Sequence, residues 1–312
     1  MLPSRPRSRL SISLAKLALT MTAVMAAACG SGAASPAARS SADSPTVNVV
    51  ATTTVFADMI RNVAGDRAVV DSVIPPGAGP EDYEPKPDDA RKLADADLVV
   101  SNGVGLDDFL DDLIAAAGQD SAARLVLGEG LDTITVEGEE NPHFWLDPSV
   151  VADHYIPAIS AALTELDPAG ADSYEASATR YIDAVRAMDA ANQAKVETIP
   201  VGNRKLVTFH DAFPYFAAHY GFELVGVIVE NVGQEPTASE LAALVETVKA
   251  VGVKAVFSEA QFSPDLARTL ADEAGVTQVV TTLYNDTVGP PPTDTYLKMM
   301  EWNVNEIVEA LG

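Results

Sequence analysis

Four short segments of this sequence carry side chains suited to holding a metal cation. They are Glu81 in Pro80-Glu81-Asp82-Tyr83, His143 in Pro142-His143-Phe144-Trp145, His210 in Phe209-His210-Asp211, and Asp286 in Tyr284-Asn285-Asp286. Each lies at or just after an apolar run of strand type, and open α/β sheets bind ligands beyond the carboxyl ends of their strands. Two neutral imidazoles with two carboxylates nearly compensate a dication, as an ion removed from water requires. Residue type alone also allows plainer roles. Glu81 reads equally as a solvated acid, His143 as a histidine packed among aromatics, His210 as a strand-end ring bonded to backbone, and Asp286 as a turn residue. Asp82 is the alternate donor of the first loop, which Pro75, Pro76, Pro80, Pro85 and Pro87 stiffen, limiting the entropy lost when an ion is bound. His154, inside a helical pattern over Ser149–Leu166 whose start Asp147-Pro148 suits, and His219 read as surface or helix-capping histidines, and Glu235 as a structural residue ahead of a helix. Asp211, beside His210, reads as a supporting acceptor or a helix N-cap.

The elements that must position these loops form two matching halves. In the first half Val47–Ala51, Val69–Ile74, Leu98–Val100 and Leu125–Leu127 look like buried strands, separated by helical patterns over Val55–Val63, Asp88–Leu93 and Leu106–Ala117. In the second, strands are expected at Leu206–Phe209, Leu224–Val229, Ala255–Phe257 and Gln278–Thr281. Helices are expected there at Phe213–Tyr220, Ala238–Val251, Asp265–Ala274 and Tyr296–Leu311. Such alternation implies the α/β class: two lobes of parallel β-sheet with flanking helices. Between the halves, Pro168 to Thr198 has no strand signal, and Tyr174, Ala178, Tyr181, Val185, Met188 and Asn192 recur at helical steps. A helix of about 28 residues there would span roughly 42 Å and join the lobes as one long backbone strut.

Composition narrows the function. Forty-five acidic against 20 basic residues exclude nucleic acid as a natural partner, because phosphate binding needs clustered Lys and Arg. The N-terminus carries Arg5, Arg7, Arg9 and Lys16 ahead of the apolar run Leu17–Ala28, which is too short for a spanning helix and reads as a secretory signal. Ala26-Ala27-Ala28-Cys29 resembles the bacterial lipoprotein box, implying cleavage before Cys29, its lipidation, and an anchor in the membrane. Residues 30–45, rich in Ser, Ala, Gly and Pro, form a flexible tether. Cys29 is the only cysteine, so the body has no internal disulfide. The organisation expected is a signal at 1–28, the lipidated cysteine and tether at 29–45, one lobe at 46–167, the linking helix at 168–199, and a second lobe at 200–312.

The loop strings Pro75-Pro76-Gly77, Tyr83-Glu84-Pro85, Pro142-His143-Phe144-Trp145-Leu146-Asp147-Pro148 and Phe209-His210-Asp211-Ala212-Phe213 resemble those of a known family, the metal-binding lipoproteins that feed zinc and manganese ABC importers. The likeness runs from Thr52-Thr53-Thr54 through Asn102-Gly103 and Phe257-Ser258-Glu259 to Asp286. It implies a solute-binding protein on the extracytoplasmic face of the cell membrane, working as a monomer with an ABC permease and its ATPase. It also implies one divalent metal ion held between the lobes by Glu81, His143, His210 and Asp286. In that family zinc proteins typically use three histidines and an aspartate; manganese proteins use two histidines, a glutamate and an aspartate, with the glutamate in the third loop. Here the glutamate stands in the first loop, where the family has histidine. The donor count leans to Mn2+ over Zn2+, with Fe2+ third, because carboxylate oxygens suit harder ions while affinity at a fixed site still rises toward zinc. The acidic 128–141 segment has no histidine, unlike the His-rich loop common in zinc members. A zinc-dependent metallohydrolase and a surface adhesin on the same scaffold are the alternatives; the absence of a His-Glu-x-x-His motif or an activated serine argues against the enzyme.

Overall fold

Strands that alternate with helices must pair in parallel, because each return to the sheet edge is made by a helical crossover. The computed structural model shows this for residues 47–312, apart from 82, 118–121, 137 and 231. The expected signal, Cys29, the tether and the alternate donor Asp82 lie outside these described residues. In the first lobe β1 (Val47–Ala51), β2 (Ala68–Ser72), β3 (Leu98–Ser101) and β4 (Ala123–Val126) form one parallel sheet in the order β2-β1-β3-β4. Helices α1 (Thr54–Ala64), α2 (Pro87–Ala94) and α3 (Phe109–Ala117) make the crossovers. All four first-lobe strands lie within about two residues of the stretches expected from β-branched runs.

Two features here differ from the expectation. A short antiparallel hairpin, β5 (Thr135–Val136) and β6 (Glu139–Glu140), precedes the His143 loop. The single helix expected over Ser149–Leu166 arrives in pieces: α4 (Pro148–Val150), a π-turn over Val151–Tyr155, and α5 (Ile156–Leu166). Pro157 accounts for the break, since it has no N–H to continue the i→i−4 ladder.

The linking helix α6 spans Ala171–Val196, entered through a 3₁₀ turn at Pro168–Gly170. Its 26 residues reach about 39 Å. Tyr174, Ala178, Tyr181, Val185, Asn192 and Val196 form its buried stripe, packed by α1, α5 and α10 (Tyr296–Leu311). Among the described residues no helix is long and apolar enough to cross a membrane.

The second lobe contains β7 (Lys205–Thr208), α7 (Pro214–Tyr220), β8 (Glu223–Val227), α8 (Ala238–Val251), β9 (Ala255–Glu259), α9 (Asp265–Ala274) and β10 (Gln278–Leu283). β7 pairs with β8 and β9 with β10, all parallel; β7 lies beside β9, although no hydrogen-bonded ladder joins them. The spatial order therefore repeats that of the first lobe, with a seam through its middle.

One hydrophobic core runs through both lobes. Phe56 and Ile60 of α1, Trp145, Tyr155, Val185 of α6, Phe257 of β9 and Met300 of α10 belong to a single buried cluster. Fully burying each large apolar side chain contributes about 1.5–3 kcal/mol, so separating the lobes would expose several at once. That shared core, added to the strut, makes wide hinge opening costly.

Candidate metal centre

The first loop leaves β2 and is held by its own turn chemistry. Pro76-Gly77 forms a tight turn in which Ala78 N–H donates to Pro75 O at 3.3 Å, and Gly77 takes the left-handed φ of 83° that such a turn demands at this position. At the far end Tyr83 Oη–H and Lys86 N–H both donate to Asp89, each at 2.7 Å, fixing the start of α2. Burial, with Asp89 beside it, pushes the Tyr83 hydroxyl up to about 12, keeping it a donor. Glu81 hangs between these anchors.

The second loop is clamped from several sides. Asn102 Nδ2–H donates to Pro142 O at 2.9 Å, and Tyr155 Oη–H donates to Asn102 Oδ1 at 2.6 Å. Asp107 in turn accepts from the N–H groups of Asn102 and Gly103 and from Thr52 Oγ1. Tyr215 of α7 reaches across to donate to Asn141 O at 2.8 Å. Asp147 caps α4 by accepting from Ser149 N–H, the helix start expected from Asp147-Pro148.

His143, His210 and Asp286 are almost sealed from solvent, at 2%, 2% and 1% exposed, while the Glu81 side chain is 26% exposed. His143 Nε2 stands 3.5 Å from Asp286 Oδ1 and 3.8 Å from Glu81 Oε1. His210 Nε2 stands 3.7 Å from Glu81 Oε2 and 3.9 Å from Asp286 Oδ2. Glu81, His143 and His210 each offer a donor atom within 4.8 Å of the others, and Asp286 adjoins both rings through different oxygens. The structure thus brings the four side chains together without setting one Asp286 oxygen equally near the other three. With metal–ligand bonds of about 2.1 Å, donors of a tetrahedral site lie about 3.4 Å apart. The four ring-to-carboxylate contacts at 3.5–3.9 Å are near that spacing, and Asp286 would have to shift for one of its oxygens to complete the set with Glu81, His143 and His210. His143 Nε2 and Asp286 Oδ1 are buried without a hydrogen-bond partner among the described residues, and buried polar atoms left so are rare. A cation between them would satisfy both.

Supporting contacts fix the rings. Asn141 Oδ1, which can only accept, lies 3.0 Å from His143 Nδ1, so Nδ1 carries a proton and Nε2 is the nitrogen that faces the centre. Asn141 Nδ2–H donates to Asp211 O and Oδ2, tying the second loop to the third. Asp211 is therefore an acceptor for a neighbouring loop; α7 begins at Pro214 with Phe213 as its N-cap. Trp145 and Phe262 wall the site, their rings 5.1 Å from His143 and 5.4 Å from His210.

The electrostatics follow from crowding three carboxylates around two rings. Burial works to depress the His210 pKa, but Glu259, Glu81 and Asp286 overcome it and hold it up at about 10. Burial raises Glu81 above the usual carboxylate range, against the pull of His210. Asp286, despite its burial, is held below its ordinary value by His143 and His210.

His154 sits half-buried in the π-turn and takes no part in the site. Glu235 is exposed ahead of α8. His219 does more than sit beside the helix C-cap at Gly221. Its Nδ1 meets Asp147 at 2.9 Å and its Nε2 meets Asp189 of α6 at 2.8 Å. Neither contact had a local signal, because the partners lie 72 and 30 positions away in the chain.

Two α/β lobes, a rigid helical joint and an interlobe nest of two imidazoles and two carboxylates define the substrate-binding component of a metal ABC importer. The chain belongs to that family: the model described as zinc-uptake complex component A, periplasmic, matches residues 49–310. The manganese-binding lipoprotein MntA of Halalkalibacterium halodurans is 30% identical over 298 residues, covering 94% of this chain and 97% of its own length. The iron-binding protein YfeA of Yersinia pestis is 33% identical over 273 residues, 85% of this chain and 86% of that one. The solved structure of the periplasmic zinc-binding protein TroA of Treponema pallidum superposes with a TM-score of 0.79 at 26% identity, covering 86% of this chain and 99% of TroA. The three relatives are named for three different metals, so family membership does not select among them.

Proposed function

We propose that this protein captures one divalent transition-metal ion through Glu81, His143, His210 and Asp286 and delivers it to an ABC permease, without covalent chemistry of its own. The observation that carries the reading is the pair of buried, unpartnered atoms His143 Nε2 and Asp286 Oδ1 facing each other at 3.5 Å, beside the cluster in which Glu81, His143 and His210 offer donor atoms within 4.8 Å of one another. Glu81 turns one oxygen toward each imidazole, an arrangement suited to binding through both oxygens. Five donor atoms favour Mn2+ over Zn2+, whose structural sites are four-coordinate. Zn2+ is the competitor and Fe2+ the third candidate.

Lipidation of Cys29 after loss of residues 1–28 would hold the monomeric protein at the extracytoplasmic face of the cell membrane, with residues 30–45 as tether. The anchor is supported by the sequence around Cys29 and by the lipoprotein relative. The test is metal analysis of protein purified without added metal, followed by competition between manganese and zinc. One equivalent bound, lost in His143→Ala and in His210→Ala, is expected; full affinity in either variant sinks the site.

A further inference from the structure

The end of β9 supplies two polar side chains and an aromatic ring to the residues that surround the proposed ion, though none of them was nominated from the sequence. Glu259 is 0% exposed, and its Oε1 lies 3.5 Å from His210 Nδ1, the ring nitrogen that faces away from the centre. Neither oxygen of Glu259 nor that Nδ1 has a hydrogen-bond partner among the described residues, so each is the other's available complement. Two residues on, Gln261 Nε2–H donates to Asp286 Oδ2 at 2.7 Å. Phe262 then stacks on Phe209 and presents its ring to His210. The backbone makes this compact: Phe262 N–H donates to Glu259 O at 3.1 Å, and Ala260 N–H donates to Leu283 O at 2.9 Å. The second of these bonds locks the turn to the end of β10, directly before Asn285 and Asp286.

We propose that the Glu259–Phe262 turn is the positioning and specificity-determining segment of the site, Glu259 orienting His210 and Gln261 restricting Asp286 to one oxygen. This rests on the metal-capture reading above. A carboxylate taken out of water without a partner costs several kcal/mol, so Glu259 at 0% exposure needs the Nδ1–H of His210. A bond closed across that 3.5 Å gap places a ring proton on Nδ1 and makes Nε2, which lies 3.1 Å from Asn285 Nδ2, the nitrogen left for the ion. A carboxylate behind a ligating imidazole makes the ring a stronger donor, and loss of such outer partners typically costs 10–100-fold in metal affinity. His143 has only the neutral Asn141 in that role, so the two rings are unequal donors. Gln261 occupies Asp286 Oδ2 and leaves Oδ1 for the ion. With the amide gone, Asp286 could bind through both oxygens, which favours the larger coordination number of manganese.

The test uses the wild type, Glu259→Gln, Glu259→Ala and Gln261→Ala, with Zn2+ and Mn2+ binding measured by calorimetry against a competing chelator. Thermal melts confirm folding, and 15N spectra of the histidine-labelled, zinc-loaded protein report which His210 nitrogen carries the proton. Glu259→Ala should weaken both ions by about 100-fold and remove the single Nδ1–H state of His210. Glu259→Gln, which keeps an acceptor oxygen, should lose only about tenfold and retain that state. Gln261→Ala should shift the manganese-to-zinc affinity ratio toward manganese. The proposal is overturned if the folded Glu259 variants bind within about twofold of a metal-binding wild type and keep the Nδ1–H state, or if Gln261→Ala leaves the ratio unchanged. Glu259→Gln and Gln261→Ala change little volume, so the test holds even if Glu259→Ala does not fold. A wild type that binds no divalent ion overturns the metal-capture reading itself, a result distinct from equal binding by all four proteins.

Discussion

Trp145 donates its indole N–H to the backbone oxygen of Asn285 at 2.8 Å, across 140 positions of sequence. The bond couples the loop that carries His143 to the loop that carries Asp286. A second tie doubles it, because Tyr296 Oη–H donates to Trp145 O at 2.9 Å. Two of the proposed ligands are thereby fixed relative to each other before any ion arrives. Thr54, Thr287 and Gly77 do the same for the first loop: Gly77 N–H donates to Thr287 Oγ1 at 3.0 Å, and the two threonine hydroxyls meet at 2.9 Å.

Trp145→Phe should show what that coupling is worth. It removes the N–H and leaves the buried Asn285 carbonyl without its donor, at a cost of about 1–3 kcal/mol. Ring packing on Phe56, 5.2 Å away and edge-on, is largely kept, so the protein should still fold. The expected result is a melting temperature lowered by several degrees and metal affinity lowered about tenfold, read by calorimetry. An affinity equal to that of wild type would mean the loops are positioned independently.

Much of this was legible in the sequence, and the reason is local. Val47–Ala51, Ala238–Val251, Asp265–Ala274 and Tyr296–Leu311 have the bounds that their periodicity implies, since strand and helix patterns are written in adjacent residues. The four donors stand out because the strings around them resemble the family's metal-ligand loops; residue type and strand-end placement alone leave each a plainer role. What the sequence did not reveal are relationships between distant residues. Glu259 lies in the family-like string Phe257-Ser258-Glu259, yet its meaning comes from His210, 49 positions earlier. Asn141, Gln261 and Asn285 are ordinary loop amides until the fold sets them against a ligand. The π-turn at Val151–Tyr155 has no periodic signature of its own, since Ser149–Leu166 keeps helical spacing on both sides of Pro157.

Metal binding should release a proton. His210 is held up at about 10, so at neutral pH the metal-free ring is protonated and the ion must displace that proton. Asn285 suits either state, donating Nδ2–H to a bare Nε2 or turning its unpartnered Oδ1 to a protonated one. Affinity should rise about tenfold per pH unit from neutrality toward about pH 10, where the gain should stop. Below neutrality Glu81, whose pKa is also raised, adds to the competition. Calorimetry in buffers of different ionisation enthalpy counts the protons. A release of none at pH 7 would contradict the electrostatics of the site.

His219 should make the stability of the metal-free protein depend on alkaline pH. Burial opposes its charge, but Asp147 and Asp189 on its two nitrogens raise it to about 9. A raised folded-state pKa stabilises fully below the unfolded value of about 6.5 and is lost as pH climbs through the folded one. Allowing for its 19% exposure, the loss between pH 6.5 and about 9 should be on the order of 2 kcal/mol. His210 contributes a similar loss extending to about pH 10, so the His219 part must be isolated by difference. His219→Gln should be less stable than wild type at pH 6, with the gap narrowing by pH 9.5. A gap that stays constant would show that the two carboxylates do not stabilise the charged ring.

Glu81→His tests the departure that makes this site unusual. The substitution converts a set of two imidazoles and two carboxylates into three imidazoles and one carboxylate. Glu81 now offers two oxygens, one toward each ring, whereas an imidazole offers one nitrogen. Fewer and softer donors favour zinc over manganese. The first loop should tolerate the change, because Pro76-Gly77 and the Tyr83–Asp89 bond anchor its two ends and the Glu81 side chain is partly exposed. The manganese-to-zinc affinity ratio should fall by on the order of tenfold, with one ion still bound per chain. The proton count should also change, since the acid whose pKa burial raises is gone and a third ring has joined the two already near Asp286. An unchanged ratio would mean that Glu81 does not touch the ion, leaving the choice of metal to His143, His210 and Asp286.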